Sequence, residues 1–303
     1  SSDLREDALI PGSRYHNFKD FISFPHFNSK ELRYEPFPLL PQPETEKSRI
    51  LLKTINKRDI ILHYPYQSFH YVIDLLREAS IDPRVVSIKV TLYRVARNSS
   101  FINALINAVK NGKQVMVVLE LQARFDEEAN IYWSNKLQGE GVRVIYGVPG
   151  LKVHSKLCLI TRRERGRNTH YAIIGTGNFN EDTARVYSDH SLFTVDKRLT
   201  REVATIFEFF EHNYRISEFT HLIVSPFNMR KKMLKFIRHE IRNLQKGKDA
   251  YIFLKLNNLV DTEIIGALYE ASRAGVPVRI IVRGMFSLIP GVPGISDNIQ
   301  AIR

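Results

Sequence analysis

An α/β fold, with a mixed or parallel sheet flanked by helices in a first lobe and a truncated second copy after it, is predicted by three features. Short apolar runs such as Val115 to Leu121 (VMVVLEL) alternate with longer stretches of helical period. One such unit recurs: Ala108 to Leu119 (AVKNGKQVMVVL) matches Ala271 to Val282 (ASRAGVPVRIIV), an offset of 163 residues from Gly112 to Gly275. The preceding strands, Ile88 to Leu92 and Tyr251 to Lys255, match at the same offset. The length of 303 residues, 44% apolar and 25% charged, permits one domain but suits two α/β lobes better.

Residues 1–48 are rich in aromatic residues and proline (Phe24-Pro25, Pro36-Phe-Pro38, Leu40-Pro-Gln-Pro43) and read as a lead-in with little regular structure. The first lobe is assigned to residues 49–220. Ile60 to His63 is a strand, Tyr64 to Ser68 a turn, and Ser68 a cap for the helix Phe69 to Ala79, whose Val72, Leu75 and Leu76 share one face. Val85 to Tyr93 is a strand; a helix from about Ser100 to Lys110 stops at Asn111-Gly112. The strand at Val115, a helix through Ala129 to Glu140 and the strand Val142 to Tyr146 follow, and Thr200 opens a helix through Val203, Ile206 and Phe209. After Tyr214 the pattern restarts, giving a partial second lobe over 221–303. Ser225-Pro226 reads as a cap followed by proline in the first helical turn, before a helix from about Phe227 to Gln245. That helix carries Arg230, Lys231, Lys232, Lys235, Arg238 and Arg242 against Glu240 alone. The pattern reads as a solvated amphipathic face, with a polyanion or partner surface as the alternative.

Chemistry concentrates in Leu151-Lys-Val-His154-Ser-Lys156-Leu-Cys-Leu-Ile160 and Ile174-Gly-Thr-Gly-Asn178. Two apart on an extended segment, His154 and Lys156 point to one face, Val153 and Leu157 to the other. The strand Tyr171 to Gly175 delivers Thr176 and Asn178 on a turn whose glycines let backbone N–H groups approach an anion. Imidazole, ammonium, hydroxyl and amide are expected to converge there, as a phosphate site containing a nucleophile. Arg94 and Arg124 follow strand ends, the carboxyl edge at which parallel sheets place ligands. A guanidinium has no lone pair for a metal, so both read as phosphate clamps, with salt bridges to Asp126 or Glu127 as the alternative. Arg283 ends its strand at the position matching Glu120 in the repeat, again at a carboxyl edge. His170 and His190 read as structural. No Gly-rich P-loop of the Walker type is present.

The His-Ser-Lys and Gly-Thr-Gly-Asn pair resembles the H-x-K…G-x-x-N signature of the phospholipase D superfamily. Longer stretches narrow the resemblance to polyphosphate kinases of the long bacterial type built on that scaffold. They are Gly12 to Asp20, Glu120 to Asn130, Gly175 to Asn180, Thr183 to Asp189, Leu254 to Asp261 and Val282 to Met285. The resemblance implies a phospholipase-D-like fold and attack of His154 on the γ-phosphorus of ATP. A phosphohistidine would then pass its phosphoryl group reversibly to polyphosphate, with Lys156 neutralising the phosphoryl oxygens. It implies Mg²⁺ with Arg94 and Arg124 at a magnesium–phosphate site, and Asp126 and Glu127 as fallback metal ligands or helix-start residues. Tyr187 and Arg283 would contact nucleotide, and Thr176 and Asn178 would orient His154 or its phosphoryl oxygens or simply form the turn. ATP or ADP and polyphosphate are the implied partners, in a homo-oligomer in the cytoplasm or at the inner face of the membrane; nucleic acid is not expected. One departure stands out. The acid that the phospholipase pattern places five positions after the lysine is Thr161, and a basic insert, Arg162 to His170, lengthens the hairpin. Both features speak against a phosphodiesterase. In the repeat, the partner of His154 falls 163 residues on, near position 317 and past Arg303, so the second H-x-K half-site is expected to be missing.

The net charge of +12 and isoelectric point of about 9.7 suggest a polyanionic partner, be it nucleic acid, an acidic membrane or polyphosphate. Cys158 is the sole cysteine, which excludes an internal disulfide and fits a reducing compartment. No apolar window long enough to span a bilayer and no signal-peptide core are present. Three readings follow: an ATP–polyphosphate phosphotransferase, a phospholipase-D-type phosphodiesterase using the same histidine, and a non-catalytic polyanion-binding module.

Overall fold

The computed structural model describes residues 31, 34–35, 37–48, 50–96, 99–120, 127–214 and 218–302, with 47 and 127–129 as backbone alone. Contacts divide the chain after Leu39, and the architecture below belongs to residues 40–302. Arg124 and Asp126, the Glu127 side chain and the motif at 12–20 lie outside the described residues.

Seven strands form the first sheet: β1 (Ile60–Tyr64), β2 (Val85–Leu92), β3 (Gln114–Leu119), β4 (Arg143–Tyr146), β5 (Lys156–Glu164), β6 (Arg167–Gly175) and β7 (Asp189–Thr194). Their order is β1-β7-β6-β5-β2-β3-β4. The β2-β3-β4 portion is parallel, and β5 returns antiparallel to β2, so the sheet is mixed as predicted. This reversal puts the start of β5 beside the carboxyl ends of β2 and β3. The basic insert is the tip of the β5–β6 hairpin, where Arg165 (φ 48°) and Gly166 (φ 77°) form a two-residue turn with both residues left-handed.

Helices cover both faces of this sheet. On one face α3 (His70–Ile81), α4 (Ser100–Lys110) and α5 (Glu127–Gly139) bury Val72, Leu76, Phe101, Leu105, Trp133 and Leu137 against Val90, Val117, Cys158 and Ile173. On the other, α6 (Lys197–Glu211) lays Val203, Ile206 and Phe207 over Val118, Leu157 and Leu159. Each large apolar side chain so buried contributes roughly 1.5–3 kcal/mol.

A second sheet of three parallel strands, β8 (Ile252–Leu256), β9 (Val278–Val282) and β10 (Ile299–Ile302), has its own core with α7 (Met229–Gln245) and α8 (Thr262–Arg273). The repeat is visible in three dimensions, with one correction. Ile88 pairs with Val115, but Ile252, not Tyr251, pairs with Val278, because the connection in the second copy is one residue shorter. Strand alternation enforces that slip, since Ile252 is buried whereas Tyr251 is exposed.

Local chemistry moves several predicted boundaries. Pro43–Ser48 and Leu51–Ile55 form short helices, α1 and α2, where no regular structure is predicted. Ser68 accepts the N–H of His70, but Phe69 holds the cap position of α3. Helix α6 begins three residues before Thr200, capped by Asp196, which accepts the N–H of Arg198 at 2.8 Å. Helix α7 starts at Met229. Pro226 lies before it in a cis peptide bond, within a turn that Asn228 organises by accepting the N–H of Val224 and donating to the carbonyls of Phe219 and Leu222.

Candidate active site

The site is built at the carboxyl edge of β2 and β3, and a threonine fastens it. Thr91 Oγ1 accepts the N–H of Leu157 (2.9 Å) and donates to the carbonyl of Ser155 (2.7 Å), pinning the approach to β5 against β2. Glu120, just past β3, is buried, and its carboxylate accepts the N–H of Val153 (2.9 Å). The backbone on either side of His154 is therefore held by two side chains from neighbouring strands.

His154 is exposed at the tip of this segment, and Lys156 is 6% exposed, with its ammonium donating to the His154 carbonyl. The two are thus neighbours but differ in exposure. Tyr93 contacts both. The His154 ring meets it edge-on at 4.7 Å, and Lys152, Lys156 and Arg94 lie over its face at 5.4, 5.2 and 5.8 Å. Partial burial, followed by Lys156, Lys152 and Arg94, holds the His154 imidazole below its ordinary value of 6.5. It is therefore neutral, with a free lone pair, at pH 7. Burial lowers Lys156 to about 8; Asp189 opposes that shift and Arg94 adds to it.

Asp189 is the residue whose role is not assigned from sequence. The pairing of Lys156 with Gly175, and of Gly175 with Ser191, carries the start of β7 next to Lys156. Thr176 donates to Asp189 Oδ1 (2.8 Å) and accepts the N–H of His190 (2.9 Å), so its hydroxyl is committed within the turn. Gly177 passes so close that an added Cβ would lie 2.4 Å from Asp189 Oδ2. The glycine permits this approach by lacking a side chain. Asn178 Oδ1 is buried without a hydrogen-bond partner among the described residues. Thr161, in place of the expected acid, lies five residues along β5 from Lys156: it pairs with His170, its hydroxyl 3.1 Å from Nδ1.

The arrangement is a cationic shelf around an accessible neutral imidazole, which suits attack on an anionic phosphorus centre. Not every predicted residue meets there. Tyr187 is 54% exposed after the 3₁₀ turn Thr183–Arg185, its N–H donating to Thr183. Arg283 follows β9 in the second sheet and donates to Asn257 (2.6 Å). Hydrogen bonds and ring contacts among the described residues join neither to His154. The backbone of Arg283 nevertheless repeats that of Glu120: each N–H donates across to the preceding parallel strand, to Leu256 and Leu92 respectively.

A profile described as Polyphosphate kinase C-terminal domain 1 matches residues 50–216, and one for Polyphosphate kinase C-terminal domain 2 matches 222–303. The chain belongs to the polyphosphate kinase family. It is 55% identical over 296 residues to a polyphosphate kinase of Vibrio vulnificus, and 52% over 300 residues to that of Escherichia coli K12. These alignments cover 98% of this chain but 42% and 44% of the relatives, so the chain spans under half their length. The crystal structure of polyphosphate kinase from Porphyromonas gingivalis superposes with a TM-score of 0.83 at 39% identity, covering 96% of this chain and 48% of that one. The α/β fold described here is thus a polyphosphate kinase family fold.

Proposed function

We propose that the chain carries the phosphoryl-transfer site of an ATP–polyphosphate phosphotransferase. The single observation that carries this reading is an exposed, neutral His154 beside the buried cation Lys156, at a sheet edge that also presents Arg94. An imidazole nitrogen of His154 attacks the γ-phosphorus of ATP in line. The N–P bond forms, the bond to the bridging oxygen breaks, and ADP leaves. The phosphoryl group then passes from nitrogen to the terminal oxygen of polyphosphate, and the reverse sequence makes ATP from ADP. Lys156 and Arg94 balance charge on the equatorial oxygens, and the edge-on Tyr93 holds the plane of the ring. Arg124 as a second phosphate clamp and Tyr187 and Arg283 as nucleotide contacts complete the proposal, with Thr176, its hydroxyl engaged by Asp189 and His190, forming the turn that Asn178 shares.

The resemblance also brings Mg²⁺. Among the described residues no three His, Cys, Asp or Glu side chains form a set that could hold it. The described residues therefore do not build a protein-only cage, and no step above is routed through the ion. Nucleotide-bound Mg²⁺ typically draws several of its ligands from substrate phosphates and water. Two lobes meeting near residue 220, and a homo-oligomer in the cytoplasm or at the inner face of the membrane, belong to the same proposal.

The test is incubation with γ-labelled ATP and Mg²⁺ beside His154→Ala. Acid-labile, alkali-stable label in the parent and none in the variant is expected. Label that persists in His154→Ala sinks the assignment. No label together with tight polyphosphate binding points to a non-catalytic polyanion module.

A further inference from the structure

We propose that the outward face of α7 is a second, linear polyphosphate-binding track separate from the His154 site; the identity of its ligand rests on the function proposed above. Lys231, Lys235, Arg238 and Arg242 follow at intervals of four, three and four residues, which places them in one stripe of the helix. All four are exposed, and Lys246 extends the row past the helix end. At 1.5 Å per residue the stripe runs about 16 Å from Lys231 to Arg242.

This row works against the stability of its own helix. Like charges four residues apart repel, and Arg230, Lys231 and Lys232 crowd the positive end of the helix dipole. The one acid of α7, Glu240, lies off the stripe and accepts from Asn243 and the N–H of Tyr251. Arg230 pairs with Asp261 and Glu263, but no ion pair among the described residues involves Lys231, Lys235, Arg238 or Arg242. A ligand that is itself a line of negative charge relieves that repulsion.

A cavity of about 510 Å³ opens beside the row, lined by Arg198, Thr220, His221, Lys232, Lys235 and Phe236. The nearby acids are already engaged. Asp196 is bound by Arg198, and Glu202 accepts the N–H groups of Thr220, His221 and Leu222. Lys235 belongs to both cavity and stripe, so an anion seated in the cavity continues onto the helix.

The geometry favours a thin inorganic chain over other polyanions. Of the apolar residues of α7, Leu234, Ile237, Ile241 and Leu244 are turned into the second core, while the exposed Met229 and Phe236 stand off the stripe, so the stripe itself offers a membrane charge but no continuous insertion face. The row itself carries no aromatic side chain, and the exposed Phe236 stands in the cavity wall, so base stacking is confined to the cavity and does not run along the helix.

The test titrates the chain with end-labelled long-chain polyphosphate, and with tripolyphosphate, across a salt series, beside the variant K231Q/K235Q/R238Q/R242Q. The four side chains are exposed, so helix content measured by circular dichroism reports whether the variant remains folded. The expected result is a loss of about tenfold or more in long-chain affinity at low salt, with little change for tripolyphosphate, which is too short to follow the row. By the single-strand increment of about 0.7 per ionic contact, the slope of log affinity on log salt falls by about 2.8. Unchanged long-chain affinity and slope in a folded variant overturn the track. So does a variant that loses only its binding to phosphatidylglycerol vesicles or to single-stranded DNA. Label at His154, read in parallel, reports separately on the catalytic proposal: if the parent takes no label yet the variant loses long chains, that proposal fails and the track stands.

Discussion

In the proposed mechanism His154 and Lys156 act over a pH window whose two edges come from different physics. Burial and three neighbouring cations lower the histidine below 6.5, so acid removes the nucleophile only below its ordinary range. Burial brings the lysine to about 8, so alkali removes the cation not far above neutrality. Labelling at sub-saturating ATP is expected to rise as pH climbs through the histidine pKa, hold a plateau, and fall as pH passes about 8. Lys156→Arg should abolish the alkaline limb, because guanidinium does not titrate there, whatever it does to the plateau. Asp189→Asn should move that limb to lower pH, since Asp189 raises Lys156 and its loss leaves burial and Arg94 less opposed. An alkaline limb that stays in place in both variants assigns it to another group. The spacing of His154 and Lys156 made them legible from sequence, as did the strand end before Arg94. Asp189 was not, because only the β5–β6–β7 pairing brings it to a lysine far away in the chain.

At the scale of elements, the site depends on how closely β5 is held to β2 and how closely the glycine turn approaches β7. Thr91→Val keeps the volume but leaves the buried N–H of Leu157 and the Ser155 carbonyl without their shared partner. A destabilisation of about 1–3 kcal/mol is expected, read from the urea midpoint, with Thr91→Ser restoring most of it. Equal midpoints for the valine variant and the parent would show that water replaces the hydroxyl. Gly177→Ala puts a methyl into Asp189, at 2.4 Å from a carboxylate oxygen, so the turn must shift and Lys156 must lose the present position of Asp189. Labelling is expected to fall at least tenfold (about 1.4 kcal/mol in barrier), and a variant as active as its parent would show that the turn is free to move. The glycines themselves were readable; the contact that requires one of them was not, since no local pattern names a partner in β7. Helix interiors such as α4 were likewise readable from period and caps. The start of α7 was misplaced because Ser225-Pro226 has the composition of a helix entrance, while the hydrogen bonds of Asn228 with Phe219, Leu222 and Val224 make a turn of it.

Over the whole molecule the internal repeat was the most informative pattern, because a parallel strand–helix–strand unit imposes the same apolar alternation wherever it occurs. It foretold β8 and β9 and missed their register by one residue, since a shorter connection cannot be seen in an ungapped match. Each sheet has its own buried cluster, Leu105 in one and Leu268 in the other, both fully enclosed. The segment that leads into α7 packs with the first sheet. Phe219 is buried against α6, and Leu222, Val224 and Phe227 pack with it just before α7 begins. Two lobes joined by such a segment should melt as two coupled transitions. Leu268→Ala, at about 2–5 kcal/mol, is expected to lower the transition of the second sheet and leave that of the first near its place, and Leu105→Ala to do the converse. Calorimetry of the two variants decides the matter. A single transition displaced as a whole by either substitution would mean that the packing of Phe219 and Phe227 on α6 makes the two sheets one folding unit, and the proposed division near residue 220 would then not be one of stability.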